Sequence, residues 1–180
     1  MIEGIYEFTF RPKANKKAAL AVFSLLMAMG GVLVIASAIA EKYKGVISLF
    51  AVGFLCAAIY ILTRFIIAEY AYALVLDSED NPNLIVTKLI GKRVTTLFSM
   101  PISRIIRIEA ESAETRRKHK TPVGTKKYFY NVTMFPDSAY RVYAAGRGES
   151  SEILLEITSA VAEKLLEYAD IAREYESREE

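Results

Sequence analysis

The run AALAVFSLLMAMGGVLVIASAIA, Ala18 to Ala40, carries no charged residue over 23 positions. At about 1.5 Å per helical residue it is long enough to cross a hydrocarbon core of about 30 Å. A polar link, EKYKG, follows, and then a second uncharged run, VISLFAVGFLCAAIYILT, from Val46 to Thr63, which FIIA prolongs beyond Arg64 to Ala68. Two such runs with five residues between them (Glu41 to Gly45) read as a transmembrane hairpin, 18–40 and 46–68, preceded by a segment 1–17. The hairpin absorbs much of the 53% of residues that are hydrophobic. What remains, roughly 110 residues of mixed composition, suffices for one small folded domain.

Three features of the hairpin bear on function. Arg64 stands near the end of the second run, where a long side chain reaches the headgroups by snorkelling. Cys56, the single cysteine, lies within that run, so neither an intrachain disulfide nor a thiolate metal site is expected. The tripeptides ASA and AIA resemble signal-cleavage sites. The first run, however, is about twice as long as a signal-peptide core and a second run follows at once, so a retained span is expected.

Arg11, Lys13, Lys16 and Lys17 precede the first run, whereas Lys42 and Lys44 in the link stand beside Glu41. Positive residues are retained on the cytoplasmic side, which predicts a multi-pass protein of the cell (inner) membrane with both termini cytoplasmic. On this topology the tripeptide NVT at Asn131 is an unused glycosylation match. Small residues recur at Ala21, Ser24, Ala28 and Gly31 in the first run, and at Gly53 and Ala57 in the second. Such faces let helix backbones approach closely in lipid, within the hairpin or between copies in a homo-oligomer.

Beyond Ala68 the pattern changes to alternation. YAYALVL (Tyr70 to Leu76), LIVTKLI (Leu84 to Ile90), RVTTLFS and PISRIIRIEA read as successive strands, with DSEDNPN and Gly91 as turn signals. KYFYNVTMF places Tyr128, Tyr130, Val132 and Met134 on one face, and PDS turns the chain into AYRVYAA, a predicted hairpin. From Ser151 onward, Leu154, Ile157, Val161, Leu165, Tyr168 and Ala172 recur at helical spacing, with Ser150 or Ser151 as the cap. That predicts one helix over 151–175 and a tail over 176–180, with Glu152, Glu156, Glu163, Glu167 and Asp170 on its wet side. The soluble part thus reads as about six antiparallel strands closed by an amphipathic helix.

The order of LIVTKLIGKRVTTLFSMPISRIIRIE, a hairpin and a closing helix resembles the bacterial pleckstrin-homology-like (PH-like) domains that follow two transmembrane helices. The resemblance covers 69–175, and MPISRIIRIE is its most telling segment. It implies an α+β membrane protein with a two-helix hairpin and a PH-like antiparallel β-sandwich or barrel capped by a C-terminal helix. PH-like folds have seven strands, and YEFTF (Tyr6 to Phe10) is the candidate for the seventh. The first hairpin loop, basic in phosphoinositide-binding relatives, is here the acidic DSEDNPN.

Charge is strongly partitioned: from Asn81 to Gly148 there are 13 Lys and Arg against 4 Asp and Glu, and from Glu149 to Glu180 there are 3 against 10. An anionic leaflet attracts the first group and repels the second. The densest basic stretch, AETRRKHKTPVGTKKYFYNV, holds Arg116, Arg117, Lys118, Lys120, Lys126 and Lys127. It reads first as a solvated crossover between two sheets, and second as a binding site for anionic lipid headgroups or an acidic partner. It lacks the interleaved aromatics of a nucleic-acid surface. His119 has no cysteine or acidic cluster at ligand spacing, VGTKK lacks the spacing of a phosphate loop, and nucleophile and base pairs cannot be assembled. No cofactor, metal or enzymatic activity is expected. The sequence points to a membrane-anchored binding or scaffolding module for an unknown protein partner, with anionic-lipid sensing, or service as an accessory or assembly subunit of a larger membrane complex, as alternatives.

Overall fold

The computed structural model describes residues 4–77, 81–112, 124–146 and 149–179. These residues fall into two compact units: a helical one, Ala14–Glu69 with Thr133–Phe135, and a sheet-rich one formed by the rest.

In the helical unit, α1 (Lys17–Ile39) and α2 (Lys44–Ile61) pack against each other, and a π-helical turn, Leu62–Ile67, prolongs α2. Both are long and apolar enough to cross a membrane. Only Ala19 and Gly30 are buried in α1, and only Ala51, Ala58 and Ile61 in α2. Leu25, Val32, Ile35, Leu49, Phe50 and Ile59 are exposed. A core helix of a soluble protein hides such side chains, whereas one surrounded by lipid does not.

The helix seam differs from the expected one. Ala21, Ser24, Ala28, Gly31, Gly53 and Ala57 are all exposed, and a Cβ added at Gly31 or Gly53 would meet nothing within 4 Å. The close approach is at Gly30, where a Cβ would stand 3.1 Å from Leu55 Cδ2 and 3.7 Å from the Ala51 carbonyl oxygen. Small residues occupy several faces of α1, so spacing alone did not select the face that α2 covers. At the open end of the hairpin Lys16 pairs with Glu69 at 3.5 Å, so the start of α1 and the end of the π turn stand together.

Among the described residues the sheet-rich unit contains eight strands. The first sheet has the order β1 (Phe8–Phe10), β2 (Glu69–Leu76), β3 (Pro82–Ile90), β4 (Arg93–Pro101). The segment YEFTF therefore does supply a strand, with Phe8 opposite Leu74 and Phe10 opposite Tyr72. The second sheet has the order β5 (Ile105–Ala110), β7 (Tyr140–Gly146), β8 (Glu149–Leu155), β6 (Lys126–Phe129). A 3-10 turn, Ile102–Arg104, leads from the first sheet to the second. Among the described residues the two sheets do not close into a barrel. Tyr72, Leu74, Leu84 and Val86 of one sheet, and Ile105, Val142, Ile153 and Leu155 of the other, are buried. Tyr72 also joins the halves with its hydroxyl, which donates to the Tyr130 carbonyl at 2.7 Å and accepts from the Glu156 N–H at 3.2 Å.

Two expectations change here. β6 is only four residues long and lies parallel to β8, so KYFYNVTMF and AYRVYAA do not form a hairpin. The C-terminal helix, α3, spans Ser159–Glu179, not 151–175. Its first expected turns are strand β8, because the stretch in which Leu154 and Ile157 fit a helical period also alternates, through Ile153, Leu155 and Ile157, as a strand. The helix starts after Thr158, whose Oγ1 accepts from the Val161 N–H at 3.4 Å. α3 buries Ala162, Leu165, Tyr168, Ala169 and Ala172 at three- and four-residue spacing, and it packs on the 3-10 turn and β5.

Candidate functional site

Arg116, Arg117, Lys118 and Lys120, with His119, lie outside the described residues. Lys126 and Lys127 open β6 and are exposed. β5 and β6 are the two edges of one sheet and run in the same direction, since β5–β7 and β7–β8 are antiparallel and β8–β6 is parallel. The basic segment is thus a connection between opposite edges of a single sheet, not a link between two sheets.

Between those edges the outer face of the second sheet is a charged ladder. Val142, Ile153 and Leu155 point inward, so alternation places Arg141 and Tyr143 of β7, Arg107 and Glu109 of β5, and Glu152 of β8 on the other side. Arg141 is its centre. Its Nε donates to Glu111 Oε2 at 2.9 Å and Nη2 to the same oxygen at 2.5 Å, while Nη1 pairs with Glu152. The side chains are 10%, 7% and 4% exposed for Arg141, Glu111 and Glu152. A guanidinium sandwiched between carboxylates in this way compensates charges that would otherwise be costly to bury. Lys127 stands opposite Glu152 in register, which brings the end of the basic segment to this ladder.

At the solvated end the Arg107 guanidinium lies 4.2 Å from the Tyr143 ring centroid and pairs with Glu109 at 3.3 Å. Burial, then the negative charge of Glu109, raises the Tyr143 phenol above its usual value, against the opposing pull of Arg141 and Arg107. On the inner side Phe98, Tyr128 and Tyr130 form an aromatic cluster, with ring centroids 5.0 Å apart for Phe98 and Tyr128 and 6.1 Å for the two stacked tyrosines. Burial, followed by Tyr128 and Tyr70, also raises the Tyr130 phenol.

No family model matches the chain, and neither the curated proteins nor the solved structures give a match. The chemistry must therefore be read from the side chains. Among the described residues no group of three or more His, Cys, Asp or Glu is placed to hold a metal ion. Cys56 is a free thiol exposed on α2.

The sequence reading missed the Arg141 cluster and placed two buried carboxylates on a solvated helix face. Glu152 and Glu156 are buried at 4% and 8% exposure; Glu156 accepts a hydrogen bond from the Val132 N–H at 3.0 Å. Glu163, Glu167 and Asp170 do lie on the exposed side of α3. A signal for the ladder was present in R-I-E-A-E, where Arg107, Glu109 and Glu111 alternate with period two beside a strand carrying Arg141.

Proposed function

We propose that this chain is a two-span protein of the cell membrane whose sheet-rich domain is a cytoplasmic, non-catalytic binding module of PH-like type. The observation that carries the reading is the exposed apolar surface of α1 and α2, joined without a linker to a domain of two sheets and a closing helix. Ala68 alone separates the π turn from β2. The buried charges of the second sheet have a structural role, since Arg141, Glu111 and Glu152 are engaged with one another. What the domain offers to a partner is its surface: a basic half and the acidic outer side of α3.

The acidic side of α3 suits a basic protein partner, and the membrane anchor concentrates weak contacts. Crosslinking of the full chain in native membranes is expected to capture a saturable partner. Charge reversal at Glu163, Glu167 and Glu174 should abolish that capture without removing the chain from the membrane. Capture that survives the reversal would sink the acidic-helix reading, and chain extracted by alkaline carbonate would sink the anchor. The anionic-lipid alternative rests on Lys126 and Lys127, exposed at the mouth of the basic segment.

A further inference from the structure

The β3–β4 hairpin ends in a two-residue turn, Gly91–Lys92, with Ile90 opposite Arg93 and Leu89 opposite Val94. Gly91 has φ +57°, the left-handed conformation that two-residue hairpin turns require. Strand tips in water are usually blunted with polar side chains. Here the tip carries apolar side chains on both faces: Leu89 and Val94 share one, and Ile90 shares the other with its register partner Arg93. Ile90 is 42% and Val94 66% exposed, and Leu97, the extra residue at the bulge facing Val86 and Thr87, is also exposed. Lys88 and Arg93 lie on the face of Ile90 and Lys92 in the turn itself, and no acidic residue occurs from Asn81 to Ile108.

The position of this tip within its sheet is set by the register. Thr87 Oγ1 donates to the Ala71 carbonyl at 3.3 Å, near the start of β2. β3 then continues past Thr87 to Ile90, so the turn lies at the end of the sheet where β2 begins. β1 leaves from that end too, since Phe10 is opposite Tyr72 and the chain runs on toward α1. Both connections to the apolar helices and the turn, with its apolar residues and three cations, therefore share one end of the sheet.

From this juxtaposition we infer that the β3–β4 tip is a second membrane contact. Ile90 and Val94 enter the boundary between headgroups and acyl chains, and Lys88, Lys92 and Arg93 hold anionic headgroups. This rests on the anchoring proposed above but adds a site distinct from Arg116 to Lys127, and it fixes which end of the domain meets the lipid. Apolar side chains beside cations are the chemistry by which peripheral segments bind anionic bilayers. Each cation lost should weaken the contact equilibrium roughly fivefold at an anionic surface.

The test uses the full chain with Cys56→Ala, reconstituted in nanodiscs and labelled with an environment-sensitive fluorophore at Val94→Cys. Ser99→Cys, about 17 Å along β4 and exposed, serves as the aqueous control. Emission from position 94 is expected to shift to the blue and be quenched by lipids spin-labelled near the headgroup. Both effects should grow with phosphatidylglycerol content and shrink on combining Lys88→Glu, Lys92→Glu and Arg93→Glu, while position 99 stays water-like. A water-like signal at 94 in every composition overturns the inference and leaves the anchor standing. So does a blue shift that lipid quenchers do not reach, which would show a protein partner or second copy on the β4 edge. A chain that fails to enter nanodiscs overturns both readings.

Discussion

Arg141 shows how this domain buries charge. It lies on the central strand β7, and both of its partners are diagonal neighbours: Glu111 just past β5, and Glu152 on β8. Removing the guanidinium leaves two carboxylates almost without exposure, so Arg141→Met is expected to destabilise the fold by about 3–5 kcal/mol. With no tryptophan in the chain, guanidinium unfolding in detergent followed by tyrosine fluorescence measures it. A loss below about 1 kcal/mol would place the pair in the class of exposed ion pairs. A second prediction concerns Tyr130. Unfolded, its phenol titrates near 10.0; folded, burial holds it higher. Below both values the proton is bound in either state, but as pH rises through 10 the unfolded chain ionises first and stability falls. Tyr130→Phe should flatten this alkaline loss and leave stability at pH 7 to 8 governed by packing alone. Neither Glu152 nor Glu156 was legible as a buried group, because a carboxylate at helical spacing looks solvated until the fold sets Arg141 beside Glu152 and the Val132 N–H beside Glu156.

At the scale of elements, β8 and α3 divide a stretch that fits two periods at once. Leu154 and Ile157 extend the helical stripe of Val161, Leu165 and Tyr168 upstream, while Ile153, Leu155 and Ile157 form a strand face. Pairing with β7 on one side and β6 on the other favours the strand, since it satisfies backbone groups that an isolated helical turn would leave to solvent. Thr158 is then the cap. Thr158→Ala is expected to cost about 1 kcal/mol, whereas Ser151→Ala should leave helix content unchanged. Thermal melts followed by circular dichroism at 222 nm compare the two, and a larger loss from Ser151→Ala would return the helix start to 151. The apolar helices were legible from their unbroken uncharged length, β2 and β3 from alternation, and the stripe of α3 from its helical period. The parallel β6–β8 pair was not, because a pairing between strands about twenty residues apart in sequence leaves no local mark.

For the whole molecule the two apolar helices impose the strongest constraint, since a hairpin that crosses lipid twice returns the chain to the side it left. The sequence disclosed the two apolar helices but not the face that joins them: several small-residue stripes compete, and only contact distinguishes Gly30 from Gly31. Gly30→Leu drives a side chain into Leu55, already 3.1 Å from the added Cβ, and overpacking of this kind costs about 1–3 kcal/mol. Gly31→Leu and Gly53→Leu project into open space. The unfolding midpoint in detergent micelles should therefore fall for Gly30→Leu and hold for the other two. If instead Gly31→Leu and Gly53→Leu both lower the midpoint and split a dimer in size-exclusion chromatography, those stripes join copies of the chain. The Lys16–Glu69 pair ties together the two ends of the hairpin, and being exposed it should contribute no more than about 1 kcal/mol. Its geometry nonetheless makes a topological demand. Membrane-impermeant labelling of sealed vesicles, at single cysteines replacing Lys13 and Ser177 in the Cys56→Ala chain, should modify both from the same side or neither. Labelling of one alone would mean that the chain crosses the bilayer an odd number of times, and the two-span hairpin would be overturned.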